Sequence, residues 1–264
     1  MLLEDKVALV TGAGRGLGQA VALAYARQGA QVLGVARTRS ELDQTAALIE
    51  AEGGRISTLP VDLSRPDEVH RMAGWVLDTW GRLDVLVNNA ARLRLKPFEE
   101  MTLDDWERTL AVNLRAPFLA CKFFLDSMKA QGRGSIINVS SNAGVRGFEQ
   151  EADYCASKFG LEGFSRALAL ELRKYNIAVN TITPGGLTGR VPIKPTSLTQ
   201  AEFDALSEAE KARWHDPIVL TEAFVFLALQ DGHGVTGERV YAYDLSERIR
   251  REGWDIQYEG ASEG

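Results

Sequence analysis

Val7-Ala8-Leu9-Val10-Thr11-Gly12-Ala13-Gly14-Arg15-Gly16-Leu17-Gly18 decides the fold. It opens on a short apolar run ended by Thr11-Gly12, which reads as a buried strand. From Leu17 to Arg27 alanine and leucine recur at helical spacing. The glycines between them let a backbone approach a pyrophosphate, and the helix N-terminus that follows offers unpaired amides to its negative charge. A tight strand-to-helix connection with no ligand is the bland alternative, and the turn alone does not separate the two.

Outward from this unit the alternation continues. Gly29 stops the helix and Gln31 to Val35 reads as a second strand. Helices follow near Ser40 to Glu52, after Ser64-Arg65-Pro66, at Leu103 to Ala111, at Ala116 to Ala130 and at Tyr154 to Lys174. Strands fall near Arg55 to Val61, Asp84 to Val87, Ser135 to Val139 and Ala178 to Ile182. Such alternation predicts one parallel sheet with helices on both faces, an α/β doubly wound domain. No linker divides residues 1–264 into two cores, so a single domain is expected. Residues 184–216 read as a substrate loop or lid containing a polar helix, about Thr199 to Arg213. A buried helix at Val219 to Leu229, a last strand at Gly237 to Tyr243 and a solvated, charged tail from Ser246 to Gly264 complete the expectation.

Composition narrows the function. The chain is 45% hydrophobic and 25% charged, as in ordinary globular proteins, and no apolar stretch is long enough to span a bilayer. Thirty basic against 36 acidic residues give a net charge of −6, which disfavours nucleic acid and anionic membranes as partners. The start of the chain lacks the pattern of a signal peptide, and two cysteines, Cys121 and Cys155, do not form a disulfide framework, so a cytoplasmic setting is expected. His70, His215 and His233 are widely spaced and resemble no metal site.

The second informative stretch is Tyr154-Cys155-Ala156-Ser157-Lys158, which places a phenol and an ammonium on one helix face. Ser141 ends a predicted strand upstream, and Asn113 begins a helix in mid-chain. Taken singly, these residues pass for a packing tyrosine, a solvated lysine and a helix cap. Together they resemble the classical short-chain dehydrogenase/reductase family. The resemblance runs over residues 5 to 243 through Thr11-Gly12 with Gly16 and Gly18, Asp62-Leu63, Asn88-Asn89-Ala90, Asn113, Ser141, Tyr154 with Lys158, and Pro184-Gly185.

That resemblance implies a Rossmann-type domain with a seven-stranded parallel sheet, assembled as a homotetramer or homodimer. It implies hydride transfer between a nicotinamide and a carbonyl or alcohol. Tyr154 is then the acid/base; Lys158 lowers its pKa and binds the nicotinamide ribose; Ser141 hydrogen-bonds the substrate oxygen; Asn113 holds a relay water. Free tyrosine, with a pKa near 10, is a poor base at neutral pH, and a neighbouring cation brings it closer to the working range. Cofactor contacts are implied for Gly12, Gly14, Arg15, Gly16, Leu17, Gly18, Asp62, Leu63, Asn89, Ala90, Tyr154, Lys158, Pro184, Gly185 and Thr188, which stands one residue earlier than the family's usual threonine.

The second strand ends Val35-Ala36-Arg37, so alanine stands where an acid would bind the adenosine ribose, with Arg37 next and Arg15 in the glycine loop. Two arginines suited to a 2′-phosphate favour NADP(H) over NAD(H). Ala91 replaces a usual glycine, and Val240 to Leu245 replaces a usual valine, aspartate and paired glycines, which puts the family's C-terminal subunit contact in question.

Basic residues gather where the substrate would enter: Arg92, Arg94 and Lys96, then Arg146, then Arg190 and Lys194. They point to a carboxylate or phosphate on the substrate, with Arg146 and one of Arg92 and Arg94 as contacts and Phe148 as apolar lining. Solvated loop charges balanced by Glu99, Glu100, Glu149 and Glu151 are the alternative. The principal expectation is an NADP-dependent oxidoreductase interconverting a ketone and a secondary alcohol on a small molecule. An NAD-dependent sugar or polyol dehydrogenase and a non-catalytic nucleotide-binding scaffold are the competing readings.

Overall fold

All five residues of β1 (Val7–Thr11) are buried, because the strand lies inside a seven-stranded sheet covered on both faces. The computed structural model describes residues 1–186, 203, 205–211, 214–258 and 260. The other strands are β2 (Gln31–Ala36), β3 (Arg55–Pro60), β4 (Val85–Asn88), β5 (Gly134–Val139), β6 (Ile177–Thr183) and β7 (Arg239–Tyr241). Their order is β3-β2-β1-β4-β5-β6-β7, and every pairing is parallel. This is a Rossmann-type sheet. Strand order reverses at β1, which pairs with both β2 and β4, so a crevice opens beyond their carboxyl ends.

Side chains alternate across this sheet as the pleat requires. Ala8, Val10, Val32, Val85, Val87 and Ile137 face one core, with α1 (Gly16–Arg27), α7 (Thr221–Ala228) and α8 (Ala242–Glu252) packed over it. Val7, Leu9, Leu33, Leu86, Ile136 and Val179 face the other, beneath α3 (Pro66–Trp80), α5 (Ala116–Gln131) and α6 (Ala152–Leu172). The remaining helices are α2 (Arg39–Ala51) and α4 (Leu103–Leu110). Local chemistry sets several ends. Pro66 opens α3 and left-handed Gly81 closes it, while Thr102 and Asp105 form a reciprocal capping box at the start of α4.

The structure departs from the sequence expectation at three places. Asn113 does not begin a helix: it sits in a π-helical segment, Ala111–Arg115, through which α4 runs directly into α5. The last strand is only Arg239–Tyr241, because Ala242 starts α8. The tail from Ser246 is not simply solvated. In α8, Leu245, Ser246 and Ile249 are buried, and Trp254, Ile256 and Tyr258 pack against the core beyond it. Its arginines and glutamates pair on the outer face, as in Arg248 with Glu252 and Arg250 with Glu222, which is why the segment is so charged.

Within the anticipated lid, Glu208–Lys211 is a single helical turn; just past it, Pro217–Leu220 is a 3-10 turn leading into α7. Thr188, Arg190 and Lys194 lie outside the described residues, as do 199–202, 204, 212 and 213 of the predicted helix Thr199 to Arg213.

Candidate active site

The glycine turn is shaped for a ligand's backbone-level approach. Gly12 and Gly16 adopt φ of 70° and 58°, which other residues take only under strain. A Cβ on Gly18 would lie 2.2 Å from the Gly12 carbonyl oxygen and 2.5 Å from Asn89 Nδ2. Arg15 is the N-cap of α1, and its side chain makes no capping hydrogen bond. The first-turn amides, with Leu17 and Gly18 among them, therefore remain available to an anion.

Thr11 fastens this turn to the end of β4. Its hydroxyl accepts from the amides of Asn89 at 2.9 Å and Ala90 at 3.0 Å, while Asn89 Nδ2 donates to the Thr11 carbonyl at 2.8 Å. On the other side of β1, Arg15 lies 3.6 Å from Glu41. A Cβ on Gly14 would approach Glu41 Cβ to 2.9 Å and Ala36 Cβ to 3.3 Å, so Gly14, Ala36, Arg15 and Glu41 border one recess. Asp62 is next along: burial pushes its carboxyl up, but the hydroxyl and amide of Ser64 and the charges of Arg37 and Arg65 outweigh that and hold it below the usual range. Leu63 is buried beside it. These residues fit a dinucleotide: the uncapped turn would hold its pyrophosphate, and Ala36 and Asp62 would border its adenosine.

The acid/base candidates meet at the carboxyl end of β5. Tyr154 and Lys158 ride on α6, one turn apart, with Lys158 Nζ 5.5 Å from the phenol ring centre. Lys158 is buried and donates to the Val139 carbonyl at 2.7 Å. Burial lowers its pKa to about 8, against the pull of Glu162. Tyr154 is pushed up to about 12 by burial, while a hydrogen bond with the Ser141 side chain pulls the other way. Ser141 leads a 3-10 turn, Asn142–Gly144, and its hydroxyl accepts from the Ala143 amide at 3.2 Å.

Asn113 is brought to the same place, with three of its four side-chain hydrogen-bonding positions taken within the protein. It donates to the Arg92 carbonyl at 2.9 Å and Ser157 Oγ at 3.0 Å, and accepts from the Arg92 amide at 2.7 Å. It thereby ties the segment after β4 to α6. Pro184 and Gly185 follow β6, where the Gly185 carbonyl accepts from the Tyr243 amide at 3.2 Å.

The basic residues divide. Arg92 and Lys96 both bind Asp105, at 3.2 and 2.7 Å, and Asp105 is held well below the carboxylate range chiefly by Lys96, then by Thr102. Arg92 is thus tied back within the protein, sharing one carboxylate with Lys96. Arg94 and Arg146 are exposed, the latter 5.0 Å from the Phe148 ring and bound through its carbonyl to Cys155, the neighbour of Tyr154. Sequence reasoning passed over Glu41, Asp105, Glu162 and Arg239. Thr102-x-x-Asp105 is a readable capping box, and Glu162 stands one turn past Lys158.

The short chain dehydrogenase family model matches residues 6–195. D-threitol dehydrogenase of Mycolicibacterium smegmatis is 41% identical over 182 residues, covering 69% of this chain and 70% of its own. A 3-oxoacyl-[acyl-carrier-protein] reductase of Thermotoga maritima is 33% identical over 238 residues, covering 90% and 96%. Among solved structures, a metagenomic short-chain oxidoreductase in complex with NADP superposes with a TM-score of 0.78 at 34% identity, covering 91% of this chain and 98% of its own.

The chain belongs to the short-chain dehydrogenase/reductase family, whose members bind NAD(P) and act on CH-OH groups. It is an oxidoreductase, which sets aside the non-catalytic scaffold. Among the described residues no helix is long and apolar enough to cross a membrane.

Proposed function

We propose that this enzyme interconverts a ketone and a secondary alcohol on a small organic molecule, with NADP(H) as cofactor and Tyr154 as acid/base. The observation that carries the reading is the convergence of Ser141, Tyr154 and Lys158 at the carboxyl end of β5, on the same edge of the sheet as the uncapped glycine turn after β1. When bound, the nicotinamide supplies or accepts the hydride. The chain's own residues manage the oxygen and its proton. Ser141 donates to the substrate oxygen, and the Tyr154 hydroxyl, protonated at neutral pH, delivers its proton as the alkoxide develops. Lys158, still mostly cationic at pH 7, stabilises the phenolate left behind. Because both Asn113 amide hydrogens are already donated within the protein, a relay water would be held through the backbone of the π-helical segment or the remaining lone pair of Oδ1.

Arg15 and Arg37 flank the adenosine recess, and Ala36 removes the acid that would repel a 2′-phosphate, so NADP(H) is the preferred cofactor. The Glu41 carboxylate beside Arg15 is the opposing feature, and Arg15 must turn from it to bind phosphate. Arg94 and Arg146 are the contacts for a substrate anion. A second reading, a polyol or sugar dehydrogenase, is favoured by the D-threitol dehydrogenase relative. A spectrophotometric panel of charged and neutral ketones, alcohols and polyols with NADPH, NADH and their oxidised forms tests these readings. The highest kcat/KM on a ketone with NADPH supports the first, and on a polyol with NAD the second.

We place the enzyme in the cytoplasm, in keeping with its two free thiols, Cys121 and Cys155. A homodimer or homotetramer is supported by Phe118, Phe159 and Leu170, exposed on α5 and α6 at 47%, 48% and 82%. Light scattering of the eluted protein decides the subunit count.

A further inference from the structure

Glu162 and Arg239 are charged side chains buried together beside the site, with exposures of only 4% and 5%. Arg239 opens β7, and Glu162 lies on α6 one turn beyond Lys158. Arg239 Nη1 donates to Glu162 Oε1 and, at 3.4 Å, to Ser140 Oγ. Its Nη2 donates to the Ser141 carbonyl at 3.0 Å. Glu162 Oε2 accepts from the Thr181 hydroxyl on β6 at 2.9 Å. Gly144 leaves room for this assembly, since a Cβ there would lie 2.8 Å from Ser140 Oγ and 3.0 Å from Glu162 Cγ.

Stability is a poor reason for such a pair. Desolvating two charges consumes much of what their attraction returns, and an apolar pair of similar volume often serves as well. Arg239 Nε adds to the cost, being buried with no hydrogen-bond partner among the described residues. What the pair does supply is geometry. The guanidinium is a planar fork, so seating Nη1 on Glu162 fixes the direction in which Nη2 meets the Ser141 carbonyl. The Ser141 carbonyl also accepts from the Gly144 amide at 2.9 Å, which anchors its peptide plane from the following turn.

We propose that the Glu162–Arg239 pair is a positioning device that locks the Ser141 peptide against α6, so that the Ser141 hydroxyl and the Tyr154 phenol address one substrate oxygen. The inference rests on the acid/base reading of Tyr154 and Ser141 given above. Neither member touches the reacting atoms; the pair acts through Ser141. Glu162 has a second effect in the same direction, because its charge favours the cationic form of Lys158.

The test compares wild type with Arg239→Lys, Arg239→Met and the apolar pair Glu162→Leu with Arg239→Leu. Four quantities are read: Tm, NADPH affinity by protein fluorescence, amide hydrogen exchange of residues 140–146, and kcat on whichever ketone of the panel wild type reduces fastest. The expected result is a kcat lower by about 10- to 100-fold in every variant, as a displaced reacting group gives. NADPH affinity stays unchanged and exchange in 140–146 accelerates. The apolar pair is the decisive variant: it keeps a wild-type Tm and yet stays slow. An apolar pair with wild-type kcat and wild-type exchange in 140–146 would make the ion pair mere packing and overturn the proposal. If wild type reduces no ketone, the functional reading fails instead, and the exchange rates alone decide whether the pair holds Ser141.

Discussion

Lys158 and Tyr154 stand one turn apart on α6, with the ammonium nitrogen 5.5 Å from the phenol ring centre and buried against the Val139 carbonyl. The two groups are shifted in opposite directions by the same cause. Burial disfavours charge, so it lowers the lysine to about 8 and raises the tyrosine to about 12. At neutral pH the tyrosine therefore stays neutral, while the lysine keeps most of its charge but holds it less firmly than a solvated lysine would.

That arrangement predicts a pH dependence. Lys158 loses its charge as pH rises through about 8, so kcat for ketone reduction falls over that limb. Stability moves the other way. The folded state binds fewer protons at Lys158 than the unfolded chain between about 8 and the ordinary lysine value, so this group's contribution to stability rises with pH there. Rate profiles and thermal melts of wild type and Lys158→Met check both signs, and the variant should lack this rise in stability.

Cofactor choice is predicted to reside in two arginines. Arg15→Ala and Arg37→Ala each remove a charge-assisted hydrogen bond to a 2′-phosphate, worth about 1.5–3 kcal/mol. The expected loss is about 10- to 100-fold in kcat/KM for NADPH, with NADH little affected. Ala36→Asp should shift the preference toward NADH. Initial-rate kinetics with both cofactors measures each change.

Gly18→Ala tests the glycine turn without touching charge. Its methyl would be driven against the Gly12 carbonyl at 2.2 Å, and backbone rather than a flexible side chain must yield. NADPH affinity, read by fluorescence titration, should fall more than tenfold, because the amides that meet the pyrophosphate are displaced.

The C-terminal segment yields a stability prediction. Ile249 is 3% exposed in α8, so Ile249→Ala should cost about 2–5 kcal/mol and lower the denaturation midpoint. Arg251→Ala, on the exposed face of the same helix, should change little. A solvated tail would leave both variants at the wild-type midpoint in a urea titration.

Much of this molecule is legible in its residues. The central strands β1 and β4 announce themselves as short apolar runs because a sheet covered on both faces leaves no polar side to mask them, whereas the edge strands β3 and β7 carry polar residues. The glycine turn and the Tyr154 and Lys158 pair are local patterns, so spacing reveals them. What spacing misses is long-range pairing. Arg239 reaches the Ser141 carbonyl across 98 positions of sequence, and Asp105 ties back Arg92 across 13. In α8 only Leu245 and Ile249 mark the buried stripe among eight charged or polar neighbours, and those neighbours look like solvated tail until their ion pairs are drawn. Asn113 is a third kind of miss, since a π-helical turn has no signature in residue type.

The most direct test of the account is the steady-state kcat of Tyr154→Phe, measured with NADPH on the panel's best ketone alongside an NADPH titration. Removing one hydroxyl should abolish turnover while cofactor affinity stays at the wild-type value. A variant that turns over at near wild-type rates would contradict the central claim that Tyr154 carries the proton.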